Sequence, residues 1–511
     1  MKGLRLPRAD WPLVAAGALL LPAAYPPFRL ILPSFVCLVP AVWLILAGQD
    51  DPRPIRRQLV QGFWFGWLSN GLVLYWMVIA LWHFTKLSAL GYFATVSILA
   101  LETGVLFAVN GWVCRTLRWP MAVVFPTTWT ALEWFAGHRG DIRFPWLGIG
   151  SSLTDYPVLV QIADVTGARG ITLLLATANA VLAVAWLRRA DRRFALGSAL
   201  AVGLGVLLAT GYGAWRLRTV PLRPVGTVAV IQPSEFEKWN HAPGYQDSLM
   251  NRLLGLSRRA SDLRPDLVAW PEAAVPDYFL RRPDWEAKIA QQVVQSRIPT
   301  LVGGLDARVY PDRTYDYWNA AFLFDSTGRS NQPVYHKRNL VPIVERVPFV
   351  NPRWFSGISF FGGFGIGDVG PVYHVPMGSF GLLICYESAF EGETRDYRRR
   401  GADFIVNITN DSWFGRTAAP YQHAAHLVMR AIENRVGVAR AANNGISEFV
   451  DPLGRVYHAT RLDDTTVVAD TVFTTDVRTI YTMLGDWVGL LAVAGTVVMV
   501  GLAGRAGGKR R

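Results

Sequence analysis

The sequence predicts a membrane α-helical part joined to a layered α/β domain, and three observations carry that reading. Hydrophobic residues make up 51% of the 511-residue chain and charged residues 17%, against about a quarter charged in ordinary soluble domains. Long apolar runs crowd the first 215 residues, stop, and return once near the C-terminus. Between Arg216 and Arg478 short strand-like runs alternate with amphipathic ones, the pattern of an α/β layered domain. Such a composition excludes disorder, collagen and a cysteine-stapled secreted scaffold.

Crossing a bilayer takes about 20 mostly apolar residues. The runs at 11–27, 30–48, 58–83, 88–114, 119–137, 160–187, 194–214 and 484–504 predict an eight-helix transmembrane bundle. Pro22, Pro26, Pro27 and Pro33 crowd the turn between the first two. Lys and Arg near span ends stay cytoplasmic. With the N-terminus inside, the basic clusters at Lys2–Arg8, Arg53–Arg57, Arg115–Arg118, Arg188–Arg193 and Arg505–Arg511 all fall on that side. The short outer loops hold only Arg29, Lys86, Arg139 and Arg143. The net charge of +13 is therefore a topology signal, and nucleic-acid binding loses its support. A signal peptide competes for the first residues, but no small-x-small cleavage site follows Leu21. Gly62 and Gly66 are spaced for close helix packing. Glu102, Glu133 and Asp164 are the ionisable exceptions within the spans, expected near helix ends or buried in pairs.

Seven spans before Arg216 place residues 216–480 outside the cytoplasmic membrane, with 1–215 as helices one to seven. Residues 481–511 form the eighth helix and a basic cytoplasmic tail. Strands are expected at Val225–Gln232, Asp266–Trp270, Thr300–Leu305, Trp318–Phe324, Gly381–Cys385, Phe404–Ile408 and Ile446–Val450. Most are β-branched or apolar and end at Pro, Gly, Asn or Asp, as buried strands do. Helices are expected at Tyr245–Ser261, Trp285–Ser296, Glu391–Arg400 and Pro420–Ala442. The stretch Trp354–Gly367 mixes glycine with Phe360, Phe361 and Phe364. It reads either as a loop packed on its own domain or as a lid that dips aromatics into the lipid interface.

Of three cysteines, Cys37 and Cys114 fall in spans, so the outer domain holds Cys385 alone. It sits in Gly381-Leu-Leu-Ile-Cys385-Tyr386-Glu387-Ser388, a strand running into a turn. Such a corner presents a nucleophile beside backbone N–H groups that can bind an oxyanion. Taken alone, the residue reads equally as an inert buried thiol. Trp270-Pro271-Glu272 ends another strand with a carboxylate, and Tyr335-His336-Lys337-Arg338 precedes Leu340–Pro348. A Glu, a Lys and a Cys on separate strand ends make a base, a cation and a nucleophile. Singly, Glu272 or Lys337 also reads as a solvated surface charge.

In order, WPE at 270–272, HKRNLVP at 336–342 and GLLICYES at 381–388 resemble the Glu-Lys-Cys motifs of the nitrilase superfamily. With NITNDSWFG at 407–415, RAIENR at 430–435 and the placement between spans seven and eight, the chain resembles the bacterial apolipoprotein N-acyltransferases within it. The resemblance covers essentially the whole chain. It implies an αββα sandwich in the outer domain, and a multi-pass protein of the bacterial inner membrane. That domain would face the periplasm and both termini the cytoplasm. It implies that a phospholipid such as phosphatidylethanolamine gives its sn-1 acyl chain to Cys385. The resulting thioester then passes it to the α-amino group of an S-diacylglyceryl-cysteine lipoprotein. By the same resemblance Glu272 is the base, Lys337 and the Tyr386 N–H hold the oxyanion, and Glu345 orients Lys337 or the nucleophile. Glu387 flanks the nucleophile, while Trp239 lies near the acyl path. Neither cofactor nor metal is implied, and a monomer is expected.

A membrane-tethered amidase would share every one of these residues and differ only in its acceptor, water. A transporter would need more ionisable groups in its spans. His423 and His426, at i and i+3, could share a metal-ligand face, but no third ligand stands at a convincing spacing. Packing or a hydrogen bond is the favoured reading for both.

Overall fold

The computed structural model describes residues 5–82, 88–236, 242, 244–275, 277–311, 315–349 and 363–508. The chain divides into two compact units, Met1–Thr219 with Leu484–Arg511, and Val220–Met483.

Among the described residues of the first unit, four helices are long and apolar enough to cross a membrane: Ala89–Leu117, Ala163–Leu187, Arg192–Thr219 and Trp487–Gly507. Pro54–Val73 and Trp76–Trp82 together make a fifth candidate, bent by 59°. The other apolar runs form shorter helices. The run at 30–48 divides into Ile31–Val36 and Val39–Ala47, with Pro40 in the first turn of the second. Proline fits there because the first turn has no intrahelical N–H bond to lose. Gly62 and Gly66 let the Pro54–Val73 helix approach its neighbour so closely that an added Cβ would stand 2.6 and 2.7 Å from Thr103. The ionisable residues are paired, as buried charge requires. Glu102 meets Arg139, and Asp164 meets Arg216 at 2.7 Å. The Glu133 carboxylate accepts from Trp129 Nε1 at 3.0 Å, Ile149 N at 2.9 Å and Thr172 Oγ1 at 2.7 Å.

The strands described in the second unit are β1 (Arg223–Gln232), β2 (Leu267–Ala269), β3 (Thr300–Val309), β4 (Tyr315–Phe324), β5 (Tyr335–His336), β6 (Tyr373–Val375), β7 (Gly378–Ile384), β8 (Phe404–Thr409), β9 (Gly437–Ala442), β10 (Glu448–Val450), β11 (Val456–Tyr457) and β12 (Thr466–Thr474). They form two six-stranded sheets ordered β12-β1-β2-β3-β4-β5 and β11-β10-β9-β8-β7-β6. Each has a parallel trio at its centre, β1-β2-β3 in one and β7-β8-β9 in the other, flanked by antiparallel strands. Strands buried on both faces read as continuous apolar runs, and all six residues of β8 and of β9 are buried. Trp270, Val268, Val302 and Phe322 of the first sheet pack with Leu253 of Tyr245–Asp262 and Trp285 of Pro283–Ser296. The helices Glu391–Arg399 and Ala419–Asn434 pack against the second sheet. The sheets approach each other at Gly437, where a Cβ would stand 2.1 Å from the Phe473 carbonyl oxygen.

One expected element is corrected. The run Pro420–Ala442 is not a single helix: the helix ends at Asn434, Arg435 turns left-handed at φ 49°, and Gly437–Ala442 is β9. Apolar residues continue through the junction, so periodicity alone carries the helix onward. Pairing with β8 takes the last six residues instead. The short strands β5, β6 and β11, and the half-buried β12, are absent from the sequence reading.

Candidate active site

In open α/β sheets, ligands collect beyond the carboxyl ends of parallel strands, and two of these ends carry Glu272 and Cys385. After β2 the chain passes through Trp270 and Pro271 to Glu272, beside Ala273 at φ 44°. Past β5 comes Lys337, and past β7 Cys385 opens a short 3-10 turn through Ala389. Cys385 itself has φ 53°, a left-handed conformation that costs a residue with a Cβ roughly 1–2 kcal/mol. Strain of this kind persists only where surrounding contacts impose it.

Lys337 is 1% exposed and lies between two carboxylates. Its Nζ donates to Glu345 Oε1 at 2.9 Å and Glu272 Oε1 at 3.2 Å. Asn319 Nδ2, from β4, spans the same two oxygens at 2.7 Å to Glu272 and 3.2 Å to Glu345. The remaining oxygens accept from backbone: Glu272 Oε2 from Asn410 N, and Glu345 Oε2 from Val341 N, both at 2.8 Å. Every oxygen of the pair is held. Burial disfavours the Lys337 ammonium, yet Glu272 and Glu345 outweigh it and hold its pKa well above the usual lysine value. Burial pushes the Cys385 thiol strongly up; Glu272 adds to the rise, and Lys337 opposes it. The resting sulfur is therefore a thiol beside a persistent cation.

Glu387 bonds a different set of groups. Its carboxyl oxygens accept from Ile384 N, Arg338 N and Tyr335 Oη, each at 2.7 Å. It ties the end of β7 to the segment that carries Lys337. Burial, then Glu393, raises its pKa to about 7. Tyr386 is buried, with its ring edge-on to Phe390 at 5.1 Å. Phe364 packs edge-on to Tyr317 at 5.0 Å and donates its N–H to the Glu345 carbonyl at 3.2 Å. Trp239, Phe360 and Phe361 lie outside the described residues.

Several polar residues at this place were not singled out from the sequence. Asn319 stood within an expected strand, the one amide in the apolar run WNAAFLF, and that mismatch was its signal. Arg440 is another, and it meets Asp411, whose nearness to His423 in the sequence did not show that they touch. His423, expected to make a hydrogen bond or pack, does both: Nδ1 lies 3.0 Å from Asp411 Oδ1, and Phe414 sits edge-on to its ring. Asp411 also accepts from Arg440 NH2 at 2.9 Å. Burial would raise the Asp411 pKa, but Arg440 and His423 outweigh it and bring it to about 2. Among the described residues no group of His, Cys, Asp and Glu is arranged to hold a metal ion.

Two six-stranded sheets with parallel centres define a nitrilase-like fold, and a cysteine at a strand–turn corner lies near its Glu–Lys–Glu cluster. The carbon-nitrogen hydrolase family model matches residues 227–478, and that of the apolipoprotein N-acyltransferase N-terminal domain matches 17–181. An apolipoprotein N-acyltransferase of Geobacter metallireducens is 31% identical over 98% of this chain and 96% of its own length. One from Chlorobaculum tepidum is 30% identical over 91% of each chain. A solved amidase from Nesterenkonia sp. aligns with 52% of this chain and 95% of its own, at 18% identity and a TM-score of 0.38. The chain belongs to the apolipoprotein N-acyltransferase family.

Proposed function

We propose that this protein moves an acyl chain from a membrane phospholipid to the N-terminal amino group of an S-diacylglyceryl-cysteine lipoprotein, through a thioester on Cys385. The observation that carries the reading is the Lys337 ammonium, bonded to Glu272 and Glu345, beside a thiol that burial keeps protonated. A thiol in that state needs a base at the moment of attack, and a nearby fixed cation stabilises negative charge at no cost in reorganisation.

In the first half-reaction Glu272 takes the Cys385 proton as sulfur attacks the sn-1 ester carbonyl. Lys337 Nζ and the Tyr386 N–H stabilise the oxyanion. Its collapse breaks the acyl carbon–oxygen bond, and Glu272 returns the proton to the leaving glycerol oxygen, giving a lysophospholipid. In the second, the lipoprotein amine attacks the thioester and Glu272 accepts an amine proton. Breaking the carbon–sulfur bond leaves an amide, and the sulfur recovers its proton. Glu345 holds Lys337 in place throughout. Phe364, with Phe360, Phe361 and Trp239, serves the lipid chain at the entrance.

Both substrates are anchored in one leaflet, which accounts for a membrane unit on this enzyme. In this reading the chain crosses the inner membrane eight times, as a monomer, with residues 216–480 in the periplasm. The test is the intact mass of the protein after incubation with phosphatidylethanolamine. The wild type gains an acyl-sized, hydroxylamine-labile adduct, and Cys385→Ala gains none. No adduct on a wild type whose thiol still alkylates overturns the acyltransferase reading. Release of the acyl group to water in the presence of a diacylglyceryl peptide assigns a hydrolase instead.

A further inference from the structure

The imidazole of His423 is wholly buried behind the nucleophile. Its Nε2 lies 3.0 Å from the carbonyl oxygen of Cys385. A carbonyl only accepts, so Nε2 carries the hydrogen. The ring is itself held from behind. Nδ1 faces Asp411 Oδ1 at 3.0 Å and Arg440 NH2 at 3.1 Å. Asp411 accepts from Thr409 Oγ1 at 3.0 Å and from Arg440 at 2.9 Å. Arg440 is fixed in turn by Asn407 Oδ1 at 2.6 Å and the Ile446 carbonyl at 3.0 Å. Asp411 is 1% exposed and Arg440 fully buried. The set ends at Nε2, which bonds the carbonyl of the left-handed Cys385.

That carbonyl shares a peptide plane with the Tyr386 N–H. A trans peptide is planar, with C=O and N–H pointing opposite ways. Anchoring the oxygen therefore fixes the direction of the N–H. We propose that His423 is a positioning residue for acyl transfer: it grips the Cys385 carbonyl and so aims the Tyr386 N–H that receives the oxyanion. The assignment rests on the acyltransferase reading above. It also separates two chemistries of one sulfur. Acyl transfer passes through a tetrahedral oxyanion and uses the aimed N–H, whereas alkylation by iodoacetamide forms no oxyanion.

The experiment uses the full-length protein in detergent with phosphatidylethanolamine, following the acyl adduct by intact mass and Cys385 alkylation by peptide mass. In His423→Leu the saturating acylation rate is expected to fall about 10²-fold, the scale of a lost oxyanion donor. The phospholipid concentration giving half that rate and the alkylation rate should each change by less than about twofold. His423→Gln, whose amide N–H reaches the same carbonyl, should recover at least about tenfold. Acylation in His423→Leu within about threefold of wild type overturns the proposal. So does an equal fall in acylation and alkylation, which marks a collapsed site, and so does no recovery in His423→Gln. If His423→Leu does not accumulate, His423→Asn replaces it: its amide is one methylene short, and a rate equal to that of His423→Gln overturns the assignment. A wild type that alkylates but forms no adduct overturns the acyltransferase reading itself.

Discussion

Two residues carry predictions that separate charge from shape. Asn319 gives both hydrogens of one amide to Glu272 and Glu345. In Asn319→Asp the shape is kept, but donors become acceptors and a third carboxylate joins two others. The acylation rate is expected to drop on the order of 10²-fold, as when a positioned base is lost, measured as adduct formation by intact mass. Asp411, fully buried and held at a pKa of about 2, stabilises the fold above the ordinary carboxylate range. That contribution is lost as pH falls through about 2. Asp411→Asn strands the Arg440 guanidinium, so the variant should be less stable by about 3 kcal/mol at neutral pH. The gap should narrow by about 2 kcal/mol as pH falls from above 4 to about 2, where the wild type also loses its charge. Thermal unfolding in detergent across pH 2–7 reads both effects, and a pH-independent gap would contradict the ion-pair account.

At the scale of elements, the strand ends place the chemistry and the glycines let them approach. A Cβ on Gly303 of β3 would stand 2.1 Å from the Pro271 carbonyl oxygen and 2.9 Å from the Glu272 Cα. Gly303→Ala should therefore displace Glu272 from Lys337 and slow acylation by about 10- to 10²-fold, since a shift near 1 Å is felt on that scale; the adduct rate checks it. The strands legible in the sequence were those with apolar runs, such as Thr300–Leu305 and Phe404–Ile408. The strand β9 was hidden because its residues extend the apolar pattern of the helix before it. The two-residue strands β5 and β11 are too short to show any period. The meeting of Glu272 with Lys337 was legible because WPE and HKRNLVP stand in the order of the nitrilase motifs. The grouping of Asp411, His423 and Arg440 was not, since a turn, a helix and a strand supply one residue each and nothing in their spacing announces a shared partner.

For the whole molecule, the basic clusters and the membrane helices lead to one orientation, which reporter fusions can check. Alkaline phosphatase joined after Thr219 should be active, and joined after Arg511 inactive, with green fluorescent protein at the C-terminus fluorescent. The opposite pattern would invert the topology and place Cys385 in the cytoplasm.

The two sheets divide the reactive parts between them. Glu272, Asn319 and Lys337 stand in or just beyond strands of the first sheet, Cys385 and Asp411 follow strands of the second, and His423 is on a helix packed against it. The Asn410 N–H on Glu272 Oε2 is a direct bond across that divide. Moreover β12, near the end of the unit, returns to pair with β1 at its beginning. Glu272 and Lys337 precede Cys385 in the chain, so the base and the cation are made first and the nucleophile joins them last. The first sheet is complete only when Thr466–Thr474 has joined β1, so the site is framed last by a strand made after every reactive residue.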